Sequence, residues 1–138
     1  MPALVALLEE LDRFYGVTEF DTAEVRAERI RAALFGTPPV VHALVARDGA
    51  ELVGIAAYSF HWPAKDLRTS VFIKDLFVTA RHRGGGVGEQ LIRAVRAIAA
   101  ERGCARVDWT VDPWNEEARR FYERLGARHD GRRFYRWD

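Results

Sequence analysis

The sequence predicts an α/β fold, a mostly antiparallel sheet with one parallel crossover and amphipathic helices packed against it. Two observations carry this expectation. Apolar residues recur at helical spacing in some segments, and short apolar, β-rich runs stand between them. A glycine-rich stretch then joins a strand directly to a helix, and a second strand follows, the order of a parallel crossover over 71–111.

The elements follow in order. Leu4, Leu7, Leu8, Leu11 and Phe14 fall at helical spacing opposite Glu9, Glu10 and Arg13, and Gly16 ends that helix. Asp21 with Glu24 three residues on reads as a capping box. It opens a second helix through Val25, Ile30, Ala33 and Leu34, stopped at Gly36 with Pro38 and Pro39 beyond. Val40–Ala46 and Leu52–Phe60 are strands joined by the hairpin signal Asp48-Gly49. Val71–Val78 is a third strand. Residues 86–102 form a helix with Val87, Leu91, Val95, Ile98 and Ala99 on one face and Gly103 at its end. Ala105–Val111 is a strand, Asn115–Leu125 a helix closed by Gly126, and Phe134–Trp137 a last short strand.

Composition bounds the rest. The chain has 138 residues, 49% hydrophobic and 30% charged, which suits one globular domain over 1–138. Its 21 Lys and Arg against 20 Asp and Glu leave a net charge of +1, so the overall charge points to neither nucleic acid nor membrane as partner. Met1–Leu8 is apolar but short and lacks a basic start, so it reads as helix and not as a targeting segment. Cys104 is the only cysteine, which excludes an internal disulfide, points to a reducing cytoplasm, and leaves the thiol as buried packing. The four histidines have no metal-ligand spacing.

The candidate chemistry begins at Arg83-Gly84-Gly85-Gly86-Val87-Gly88, between a strand and a helix. A helix start presents unpaired amides with a positive macrodipole, and glycines let an anionic ligand reach them, so a phosphate or pyrophosphate is the natural guest. No Lys-Ser or Lys-Thr follows, so this is not a Walker loop. A dinucleotide fingerprint fails as well, because Glu89 or Leu91 stands where its third glycine belongs. A flexible turn is the plain alternative.

Leu76-Phe77-Val78 followed by this loop resembles the R/Q-x-x-G-x-G/A segment of the GNAT N-acetyltransferases. Asn115-Glu-Glu-Ala118-Arg-Arg-Phe121-Tyr122-Glu-Arg-Leu125-Gly126-Ala127 is similar to that family's N-x-x-A-x-x-F-Y-x-x-x-G-A/F segment. Ile73–Val78, Gly103-Cys104, Asp112–Asn115 and Pro38–Ala46 resemble its diamine and thialysine (spermidine/spermine-type) acetyltransferase branch. The resemblance implies a GNAT-type fold, a twisted sheet with helices on both faces, here lacking the usual first strand. It implies acetyl-CoA as co-substrate, no metal, and a homodimer, with Phe134, Tyr135 and Trp137 as a candidate interface.

It also implies roles. Main-chain groups of Leu76, Phe77 and Val78 would hold pantetheine. The amides of Arg83, Gly84, Gly85, Gly86, Val87, Gly88 and Glu89 would hold pyrophosphate. Asn115 and Ala118 would line the thiol region. Tyr122 would protonate the departing sulfur; without the motif it reads first as a packed aromatic at the margin of an amphipathic helix. Asp75 is the candidate base or amine anchor, or else a solvent-facing or ion-paired residue. On a regular strand Lys74 would face away from Asp75; a bulge would change that, and a cationic Lys74 in the cleft would disfavour polyamines. Phe14, Tyr15 and Trp62 could wall an amine site or simply pack. The expected activity is acetyl transfer to a primary amine of a small molecule, of polyamine or lysine-analogue type. Direct attack in a ternary complex is the expected route. A protein or peptide acceptor, or an acyl-CoA-binding module without turnover, are the alternatives.

Overall fold

The computed structural model describes residues 1–138. Helix α1 (Pro2–Phe14) starts on a proline suited to the first helical turn, and Gly16 follows its end with φ 93°. Its buried Leu7 and Leu11 pack on Ile55 and Phe77. Helix α2 (Ala23–Phe35) is capped by Thr22, whose Oγ1 accepts from the Val25 amide at 3.3 Å. The expected Asp21 capping box is therefore displaced by one residue. Asp21 instead pairs with Arg29 at 2.7 Å, since a threonine one step nearer reaches the orphan amide first. Gly36 closes α2 at φ −66°, not in the left-handed conformation a glycine stop suggests.

Strands β1 (His42–Asp48) and β2 (Glu51–His61) form a hairpin around Gly49-Ala50, with Gly49 at φ 63° as the turn requires. Strand β3 (Ser70–Val78) runs antiparallel to β2. Helix α3 (Val87–Glu101) crosses back to β4 (Val107–Trp109), which lies parallel to β3. The sheet order is β1-β2-β3-β4, and α4 (Glu116–Arg124) follows. One sheet face carries α3, with Leu91, Ile92, Val95 and Ala99 against Ala56, Tyr58, Val71 and Ile73. The other carries α1, so helices cover both faces as expected. Cys104 is buried on the α3 side. No helix is long and apolar enough to cross a membrane.

Two strand expectations are corrected. The fourth strand spans only 107–109, against an expected 105–111. Phe134–Trp137 forms no strand, and Trp137 is fully exposed. A strand needs a neighbour to satisfy its ladder. The polar stretch Arg128–Arg133 leads these aromatics away from the sheet, whose last strand offers only three residues of edge.

Candidate active site

The site begins with a break in strand alternation. Ala57 pairs with Asp75 and the next residue, Tyr58, with Ile73, which leaves Lys74 as an extra, unpaired residue in β3. Without that bulge, Val71, Ile73, Asp75 and Phe77 would share one face. With it, Val71 and Ile73 face α3 while Phe77 faces α1. Asp75, in step with Phe77, goes to the α1 side, where the Asp12 carboxylate of α1 is close enough to act on it. Burial raises the Asp75 carboxyl above the ordinary value most, Lys74 draws it back, and Asp12 raises it again.

The second feature is a gap. The β3–β4 ladder ends at Ile73↔Trp109, so the rest of β3 has no strand on that side. The Thr79 amide donates to the Val53 carbonyl at 2.9 Å, toward β2. By alternation, the main-chain groups of Val78 and Leu76 point the opposite way, into the gap. Arg83 already uses one of them: its Nε donates to the Val78 carbonyl at 3.0 Å, and its guanidinium lies over the rings of Phe14 (5.0 Å) and Phe77 (5.4 Å). An extended amide-bearing chain fits such a strand edge.

The glycine loop opens beside this edge. Gly84 and Gly86 adopt φ 82° and 85°, and a side chain added at either would meet nothing within 4 Å. Gly86 caps α3 in the left-handed conformation, so the free amides of the first turn lie open. At Gly88 an added Cβ would meet Phe121 at 3.6 Å and Val78 at 3.7 Å, which places the start of α3 against both α4 and β3. Gly54 of β2 allows this close approach from below: a Cβ there would press on Leu91 and Val87 at 3.1 and 3.2 Å. The Glu89 side chain is taken up by Arg93 at 3.1 Å, leaving its amide for the loop.

Helix α4 closes the gap. Asn115 caps it, Oδ1 accepting from the Ala118 amide at 3.3 Å, which leaves Nδ2 to donate elsewhere. Tyr122 packs on Trp109 (5.2 Å between centroids) and Phe121 (5.4 Å). A small cavity in the gap is lined by Tyr15, Lys74, Asp75, Leu76, Trp109 and Tyr122, among others. Its phenols are held neutral. Burial and then Tyr15 push Tyr122 up to about 12. Burial, Asp75 and Asp112 raise Tyr15, against Arg83. A protonated phenol, a carboxyl and a lysine thus share one cavity at the strand edge.

The structure therefore brings Tyr15, Lys74, Asp75, Leu76 and Tyr122 together, with Phe14 alongside through Tyr15 (5.1 Å). Trp62 stays away: its indole donates to the Leu67 carbonyl at 2.6 Å, at the far end of β3. The aromatic that joins Phe14 and Tyr15 is Trp114, at 5.9 and 6.3 Å. Sequence reading missed Trp114 as a wall, and Asp12 and Asp112 as charges near the cavity. The three-residue spacing of Asp12 and Tyr15 was the one available signal.

Comparison with known proteins follows the same lines. The model of the Acetyltransferase (GNAT) family matches residues 4–127. The thialysine N-epsilon-acetyltransferase of Bos taurus is 30% identical over 132 residues, 90% of this chain and 76% of that protein. An L-ornithine N5-acetyltransferase of Arabidopsis thaliana is 33% identical over 76 residues, 55% of this chain and 33% of that one. Among solved structures, an integron cassette protein from the mobile metagenome of V. cholerae superposes with a TM-score of 0.89 at 30% identity, covering 99% of this chain and 85% of that one.

Proposed function

The chain belongs to the GNAT acetyltransferase family, an enzyme family of acyltransferases, and from that premise we propose that it moves an acetyl group from acetyl-CoA to a primary amine of a small molecule. The observation that carries this is the cavity in the β3–β4 gap, where the Tyr122 phenol and Asp75 carboxyl meet beside an open strand edge and an open glycine loop. Acetyl-CoA supplies the acetyl group as a thioester. Leu76 and Val78 offer main-chain groups to its pantetheine arm, Arg83 releasing the Val78 carbonyl to make room. The amides from Arg83 to Glu89 face its pyrophosphate, and Asn115 and Ala118 flank the thiol end.

Asp75 anchors the acceptor ammonium and takes one of its protons, so that the neutral amine attacks the acetyl carbonyl; the second proton leaves the nitrogen as the amide forms and replaces the one that Tyr122 gives to sulfur. The raised affinity of Asp75 for protons makes it a better base than an ordinary carboxylate. As the C–N bond forms and the C–S bond breaks, Tyr122 donates to the departing sulfur. No covalent enzyme intermediate is needed, so both substrates are held at once. Phe14, Tyr15 and Trp114 wall the acceptor, with Trp62 outside. Relatives that act on thialysine and ornithine support an amino-acid-like diamine as acceptor, and Lys74 at the cavity favours one that also carries a carboxylate. A cytoplasmic homodimer using Phe134, Tyr135 and Trp137 completes the proposal, supported by the exposure of all three rings.

The test is a thiol-release screen with acetyl-CoA over polyamines, lysine analogues, amino acids and peptides. It is paired with thermal melts in acetyl-CoA, ATP and NAD. Acetyl-CoA should raise Tm well above the other two. Equal shifts with all three would reduce the loop to a generic phosphate site.

A further inference from the structure

The glycine loop has no packing of its own. An added Cβ would meet nothing within 4 Å at Gly84 or Gly86, and only the His82 carbonyl at 3.6 Å at Gly85. Three consecutive glycines also carry the largest backbone entropy to be lost on ordering. Their position is therefore set from the two ends. Downstream, α3 is fixed by the buried Leu91 and Val95. Upstream, the 3-10 turn Ala80–His82 has no buried residue. Arg83 is held by the Val78 carbonyl and the Phe14 and Phe77 rings; the turn before it is held from the tip of the β1–β2 hairpin, some thirty residues earlier in the chain. Arg81 forms an ion pair with Glu51. The His82 ring lies between two partners, Nε2 3.1 Å from Asp48 Oδ2 and Nδ1 3.1 Å from the buried Thr79 hydroxyl. With Thr79 donating to Nδ1, Nε2–H donates to Asp48. Asp48 and Glu51 are themselves register partners across the turn, so both tethers leave one rigid point.

We propose that Asp48 and Glu51 are positioning residues for the cofactor: through His82 and Arg81 they hold the glycine loop in the shape that receives pyrophosphate. This rests on the assignment of that loop to CoA. The direction of the effect separates it from simple electrostatics. Two carboxylates near a phosphate site repel the ligand, so removing them as bystanders would tighten binding. Removing them as tethers loosens the loop and weakens it.

The experiment is calorimetric titration of CoA into the wild-type protein and the double variant Asp48→Ala/Glu51→Ala, with steady-state kinetics alongside. Exposed pairs of this kind add little to the fold, so the melting temperature should fall by only a few degrees. The Kd for CoA and the KM for acetyl-CoA should rise about three- to tenfold, as for the loss of two exposed pairs' worth of preorganisation. The kcat at saturating acetyl-CoA should stay unchanged. The charge swap Arg81→Glu/Glu51→Arg, which rebuilds one pair at constant net charge, should bind CoA like the wild type. Unchanged or tighter binding by the double variant, or failure of the swap to bind CoA like the wild type, overturns the tether. A wild-type protein that does not bind CoA overturns the loop assignment and the tether together.

Discussion

Replacing Tyr122 with phenylalanine removes one hydroxyl from the cavity and keeps the ring against Trp109 and Phe121. The phenol is pushed up to about 12 by burial and then by Tyr15, so it is protonated throughout the neutral range and can serve as an acid but not as a base. A thiol of CoA type ionises near ~8.5. Complete transfer from so weak an acid to a thiolate is then uphill. That favours a hydrogen bond that strengthens as charge gathers on sulfur, with the proton following late. Such bonds to charged groups contribute about 1.5–3 kcal/mol, so kcat should fall roughly 10- to 150-fold. The KM for acetyl-CoA should hardly move, because the interaction is made mainly in the transition state. The assay is steady-state thiol release with the best acceptor, with a single-turnover measurement to show that chemistry limits the rate. An alkaline absorbance titration should lose the component near 12 in the variant. Full kcat under rate-limiting chemistry would leave Tyr122 a packing residue and require another donor.

Asp75→Asn should lower kcat/KM by about a hundredfold or more yet raise Tm at pH 7. The carboxyl is raised in the fold, so its stabilising contribution is present below its ordinary value and lost as pH rises through the raised one. The gain in Tm should shrink as pH falls toward that ordinary value, and a lower Tm at neutral pH would contradict it. Wild-type enzyme should prefer a zwitterionic lysine analogue to spermidine. Lys74→Glu should shift that ratio of kcat/KM toward spermidine by about tenfold, taking two charge units at ~6 Å in a water-like dielectric; a strong wild-type preference for spermidine would refute it. Gly86→Val forces a β-branched residue to φ 85° and should weaken CoA about tenfold, from ~1–2 kcal/mol of backbone strain, with the fold intact. Unchanged affinity in a titration would mean that the loop does not receive pyrophosphate.

The helices and the β1–β2 hairpin were legible because each rests on a local rule: apolar spacing in α1, α3 and α4, and the φ > 0 turn at Gly49. The glycine loop was legible for the same reason, since Gly84 and Gly86 do adopt the left-handed conformation that only glycine takes freely. Misreadings arose where a partner elsewhere decides. Phe134–Trp137 has strand composition but pairs with none of the sheet's edges. Trp62 is as aromatic as Trp114, but its position is set by the β2–β3 connection, which turns it back onto Leu67. Asp12 and Asp112 become relevant only once α1 and the chain after β4 converge on the end of β3.

The bulge at Lys74 shows how a local irregularity turns a common fold into a particular site. A sheet of this order needs β3 to alternate regularly, and Val71 and Ile73 do so against α3. One extra residue reverses the phase, so Phe77 packs on α1 and Asp75 goes with it, while Leu76 and Val78 pack on the α3 side. The same residue lies where the ladder to β4 ends, at Ile73↔Trp109. A bulge increases local twist and bends its strand, which suits a strand that must part from its neighbour there. The carboxyl proposed for the amine and the open edge proposed for the thioester therefore meet at one irregularity. The residue that supplies it also lines the cavity as its cation. The proposed selectivity and the architecture thus rest on one residue, and Lys74→Glu, which keeps the extra residue and changes only its charge, is the substitution that separates them.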